Sequence, residues 1–114
     1  MKLALSVICG ILMWANALID EASAEWAVTF FTGSDLLQMC TGPERIGCNA
    51  YIAGASDAIT SQRAAEGKPT CLHSSVPIGQ VVSVTLSYLR AHPELLGSGG
   101  AFLINEAITL AWKC

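Results

Sequence analysis

Five cysteines stand in this chain of 114 residues, and they are the side chains whose type and spacing speak most clearly of chemistry. Cys9 falls within an apolar run near the N-terminus, whereas Cys40, Cys48, Cys71 and Cys114 are spread over the remainder. Four cysteines in a small exported domain predict a disulfide framework, with three pairings open. Zinc ligation is the rival chemistry, but it is built from closely spaced ligand pairs. No C-x2-C pair is present, and His73 and His92 are far from any tight cysteine pair. The cysteines are expected to brace the fold, with no metal.

A catalyst would need a nucleophile with its base, paired carboxylates or a metal set. The patterns S-x-x-K, H-E-x-x-H and G-x-S-x-G are all missing. The stretch Gly97-Ser98-Gly99-Gly100 lacks the lysine and the preceding strand of a phosphate loop, and reads as a mobile linker. His92 is expected at a helix C-terminus, where the dipole favours a cation. His73 and Asp57 read as surface polar groups. Gly54, in mid-helix, implies close approach of a neighbouring helix, since glycine there costs up to ~1 kcal/mol against alanine. No catalytic residue and no cofactor is expected.

The formal net charge of −3 argues against nucleic acid, whose binders present a basic face. A mean hydropathy of +0.51 could suggest a membrane protein, but the apolar excess is concentrated in residues 1–24. There Lys2, the apolar run Leu3 to Trp14 and Ala22-Ser23-Ala24 have the three parts of a secretory signal peptide, cleaved after Ala24. Ile8 before Cys9 is too large for a lipoprotein signal, so no lipid or other stable membrane anchor is expected. The mature chain, 25–114, is long enough for one small domain.

The elements that must position these residues read as helices. Glu25 to Phe31 is an extended lead-in. Ser34 is a good N-cap for a short helix from Asp35 to about Cys40. From Pro43 to about Ala65, Cys48, Tyr51/Ile52, Ala55 and Ile59 recur at helical steps. Gly67 and Pro69 end that helix. Thr70 to Val76 is a loop. Pro77 opens a third helix to about Ala91, with Ile78, Val81/Val82, Leu86 and Leu89 on one stripe. After His92-Pro93, a helical turn at Glu94–Leu96 leads to the glycine segment. A last helix from Ala101 to about Trp112 turns Leu103/Ile104, Ala107/Ile108 and Ala111 inward. The fold class is all-α: a compact bundle of about four helices stapled by two disulfides.

Several motifs together resemble a known family. They are Phe31-Thr32-Gly33, Leu37 with Cys40, Cys48 with Tyr51, Ile52, Gly54 and Asp57, then Cys71, then Tyr88 through Glu94, and Ala107 through Cys114. In this order and spacing they resemble the small periplasmic immunity proteins that protect bacteria from type VI secretion amidase effectors. The chain departs from that pattern where the family has prolines, carrying Lys113 before the last cysteine and Leu72-His73 after the lone one.

The resemblance implies a non-enzymatic inhibitor of a peptidoglycan amidase, with a protein partner and typically a homodimer, that presents a loop to the toxin. Carried onto this chain, that loop is Leu95 to Gly100. Leu95 and Leu96 would be its apolar anchor, Gly97, Ser98, Gly99 and Gly100 its close-approach segment, and His92 and Glu94 its polar rim. The alternative is a small periplasmic helper of the acid-stress chaperone kind, for which this sparingly charged chain is poorly supplied. A helix hairpin would bring Cys40 to Cys48, leaving Cys71 to pair with Cys114.

Overall fold

Thr32 sets the start of the first helix. Its hydroxyl accepts the Asp35 N–H at 3.3 Å while its own N–H donates to the Asp35 carboxylate at 3.0 Å, a reciprocal capping box. In the computed structural model, which describes residues 29–113, helix α1 therefore spans Gly33–Thr41, and Ser34, expected as the cap, lies inside it. Gly42 is extended, and α2 runs Ile46–Ala65. It does not begin at Pro43, because residues 42–45 form the turn that returns the chain. That turn places the Cys40 and Cys48 Cα atoms 4.9 Å apart, joined by a disulfide.

At the other end of α2, Gly67 adopts φ +69, the left-handed conformation that glycine takes without strain. Its N–H reaches the Ala64 carbonyl and the Lys68 N–H the Arg63 carbonyl, a two-bond cap of the exposed helix end. Helix α3 spans Ile78–Ala91, entered through Pro77. A 3-10 turn, Pro93–Leu95, and the glycine segment lead to α4, Gly100–Trp112. The architecture is all-α, with one isolated bridge between Thr32 and Gly99 and no strand among the described residues.

Helix α4 packs against each of the other three, and α3 against α4 is the broadest contact. The buried centre is made by Leu36, Ile52, Leu89, Leu103, Ile104 and Ile108. Ala111, expected inward, is exposed, and at this end of α4 the neighbouring Trp112 packs against the core instead. Two core positions are hydroxyls that the predicted stripes did not include, while Ile78, predicted on the α3 stripe, is 41% exposed at the first position of that helix. Ser56 follows Cys48 and Ile52 on the inner face of α2, and Thr85 lies between Val81 and Leu89 on that of α3. Gly54 faces open space, with nothing within 4 Å of where a Cβ would stand. The close helix approach expected there occurs instead at Gly33, where a Cβ would lie 2.4 Å from Leu103 Cδ1.

One disulfide is closed among the described residues where two were expected. Cys71 is itself disulfide-bonded, its partner lying outside those residues. The expected signal peptide, its cleavage point and Cys9 also fall outside them. No helix among the described residues is long and apolar enough to cross a membrane.

Candidate interaction surface

The segment from His92 to Gly100 is held at both ends. His92 terminates α3, its N–H reaching the Tyr88 and Leu89 carbonyls. Its ring stacks on Tyr88 with centroids 4.2 Å apart, and its Nδ1 lies 2.9 Å from the Tyr88 carbonyl. Tyr88 is pushed towards a higher pKa by its partial burial and by the charges of Glu106 and Glu94. The Leu95 N–H donates to the His92 carbonyl and the Ser98 N–H to the Leu95 carbonyl.

The glycine segment, expected to be a mobile linker, is instead pinned to the start of α1. The first N–H groups of a helix have no partner within it. Here the Gly33 N–H donates to the Ser98 carbonyl and the Ser34 N–H to the Leu96 carbonyl, each at 2.9 Å. In return the Gly100 N–H donates to the Phe31 carbonyl at 2.8 Å. Leu95 and Leu96 are half-buried and pack against the core, whereas Glu94 and Gly97 are exposed. Ser98 and Gly99 are half-buried, and Gly100 is buried.

The fold adds Phe30 and Phe31, expected only as part of an extended lead-in, and Phe102, expected only as part of the last helix. Phe30 is 87% exposed, Phe31 42% and Phe102 55%. Phe31 meets the Tyr51 ring edge-on with centroids 5.3 Å apart. These four aromatics and Gly99–Gly100 line an open depression of 470 Å³. Large exposed apolar groups gathered on one surface mark interaction sites, and aromatics are over-represented among the anchors of protein interfaces. The doubled phenylalanine at 30–31 was the available signal, but Phe102 joins it only through the packing of α4.

Asp57 and His73, considered separately in the sequence, stand on the walls of one groove between α2 and the loop after it. Arg63 is committed elsewhere: its guanidinium donates to Asn105 Oδ1 at 3.0 Å and Thr109 Oγ1 at 3.3 Å on α4. No three His, Cys, Asp or Glu side chains are grouped to hold a metal among the described residues.

An all-α domain with its first two helices joined by a disulfide, the segment between its last two helices clamped by backbone hydrogen bonds and aromatics exposed beside that clamp has the form of a small protein-binding module. The family of Rap1a immunity proteins matches residues 32–114, and the chain belongs to it. The resemblance read from the cysteine, Tyr51 and Tyr88–Glu94 motifs is thereby borne out. No curated protein and no solved structure matches the chain.

Proposed function

We propose that this protein is a periplasmic immunity protein that binds and neutralises a peptidoglycan amidase delivered by type VI secretion. Membership of the Rap1a immunity family is the observation that carries this reading. An immunity protein of this kind acts by occupying its toxin, so no catalytic step of its own is required. The signal peptide proposed for residues 1–24 delivers the chain to the compartment where such an amidase works, and a Cys71–Cys114 bridge completes the framework there.

The contact surface is the Leu95–Gly100 segment together with the aromatic cluster beside it, presented by a homodimer. The clamp on α1 fixes the segment before binding, which lowers the ordering cost that association must overcome. Leu95 and Leu96 then serve mainly to seat the segment on the core. Its outward-facing groups are Glu94 and Gly97, flanked by Phe30, Phe31 and Phe102. His92 holds the turn through its stack on Tyr88.

The test is protection from lysis in cells that export both this protein and any amidase encoded beside its gene. Gly97→Trp adds bulk where nothing lies within 4 Å, and Phe102→Asp places a charge on an exposed position. Both should keep the wild-type melting temperature and lose protection. Full protection by both variants would show that another surface makes the contact. If no neighbouring amidase is bound at all, a periplasmic helper role becomes the better reading.

A further inference from the structure

The inner stripe of α2 changes character halfway along. Cys48 and Ile52 face the core, but the next positions on that stripe are Ser56, Thr60 and Ala64. Opposite them runs the loop after α2, and between the two lies a groove of 570 Å³. Small hydroxyl residues at positions where the helix would otherwise carry leucine or isoleucine leave that space open.

Three observations mark the groove as built. Ser56 lines the groove and is only 6% exposed, and its hydroxyl, itself closed off from solvent, has no hydrogen-bond partner. A buried unpaired hydroxyl destabilises a fold, and each one in a native structure calls for an explanation. Next, Cys71 is held at φ +67 while the Leu72 N–H bonds to the Thr70 carbonyl at 2.8 Å. A three-residue turn with positive φ at a residue bearing a side chain is strained, and such strain persists where surrounding structure imposes it. Cys71 is also disulfide-bonded, so the turn beside the groove is covalently tethered. Lastly, the walls offer a carboxylate and hydroxyls without a permanent cation. They carry the Asp57 carboxylate, the hydroxyls of Thr60, Ser61, Thr70 and Ser74 and the His73 ring, with apolar Val76 and Ile78, but no lysine or arginine. No side chain pairs with the Asp57 carboxylate among the described residues.

We propose that this groove receives a lysine or arginine side chain projecting from a protein partner. Asp57 takes the cationic head, the hydroxyls of Thr60, Ser61 and Ser74 accept its N–H groups, and Val76 and Ile78 pack along the methylene stem, the way long cationic side chains ordinarily divide between water and apolar surface. An anionic or purely aliphatic side chain would leave the carboxylate or the hydroxyls unmatched. The proposal rests on the partner-binding reading above and adds a second contact, distinct from the aromatic surface.

The experiment is a nitrogen-15 NMR titration of the protein purified from the periplasm after expression of the full chain. The probes are Nα-acetyl-arginine amide and Nα-acetyl-lysine amide, with the norleucine and glutamate equivalents as comparators. The cationic probes should give saturable shifts at Ser56, Asp57, Thr60 and His73, with dissociation constants on the order of millimolar. Asp57→Asn should weaken them about threefold to tenfold, the effect of losing one partly exposed charge pair. Thr60→Val should also weaken binding while leaving the remaining spectrum in place. Equal shifts from the glutamate or norleucine probe, no saturable shift, or unchanged affinity in Asp57→Asn would each overturn the proposal. The titration contains no effector, so its failure leaves the immunity assay standing. Failure of that assay beside a positive titration would keep the groove and change only the identity of the partner.

Discussion

Two glycines in this chain should respond oppositely to the same substitution, and the structure states why. Gly33 opens α1 against α4. An alanine Cβ there would sit 2.4 Å from Leu103 Cδ1 and 3.2–3.3 Å from the Leu96 backbone. Carbon atoms pack best at about 3.5–4.0 Å, so both neighbours would have to move. Leu103 is fully buried and cannot swing out, and Leu96 is held by the Ser34 N–H. Overpacking of this kind costs about 1–3 kcal/mol. Gly54 lies in mid-helix with nothing within 4 Å, so alanine there gains helix propensity of up to ~1 kcal/mol. For a domain of this size each kcal/mol moves the melting temperature by roughly 4–8 °C. Circular dichroism melts of oxidised protein should therefore show Gly33→Ala lower by about 4 °C or more and Gly54→Ala higher by a few degrees. Urea titrations should agree in sign without a change in slope. If Gly33→Ala is as stable as wild type, the clamp between the glycine segment and α1 is looser than its hydrogen bonds imply, and the reasoning fails.

Three other outcomes follow from the geometry. The Asp35 carboxylate is held below its ordinary pKa by the backbone and then the side-chain hydrogen bond of Thr32. Its contribution is thus present above the unfolded value of about 3.9 and is lost as the pH falls through the lower folded value. Melting temperature should drop in that acid window, and Asp35→Asn should flatten the drop, with a remainder from Glu66, lowered chiefly by its bond from Gln62. Replacing Cys40 and Cys48 together by alanine should cost roughly 2.5 kcal/mol from the short loop alone, read from denaturant midpoints; an unchanged midpoint would mean that helix packing alone closes the hairpin. Thr85 is fully buried with an unpaired hydroxyl, so the near-isosteric Thr85→Val should raise stability by about 1–3 kcal/mol in the same measurement, and a loss would point to an unseen partner for that oxygen.

Helices are legible in a single sequence when their apolar residues recur at short range and their ends carry their own signals. Pro77 at the entrance of α3 and Gly67 beyond α2 did so, and the Cys40–Cys48 bridge followed from a helix hairpin. Boundaries blurred where a side chain competed with another: Thr32 and Ser34 are both plausible caps, and only the reciprocal bond with Asp35 selects Thr32. The motif order also carried the family, because spacing between cysteines and aromatics is itself a one-dimensional property.

What the candidate sites look like was decided elsewhere. Gly97 to Gly100 resembles a flexible linker in composition, yet its carbonyls are claimed by N–H groups at the start of α1, a partner invisible in local pattern. Gly54 and Gly33 are alike in sequence and unlike in space. Ser56 and Thr85 look like polar-face residues until helix packing turns them inward, and Phe102 joins Phe30 and Phe31 only because α4 lies beside Tyr51. By itself, then, the sequence determined the helices, their hairpin bridge and the family. The clamp, the aromatic surface and the hydroxyl-lined groove belong to the tertiary structure alone. Periodicity records which residues share a face of one element, whereas burial, exposure and hydrogen-bond partnership depend on which distant face is brought against it.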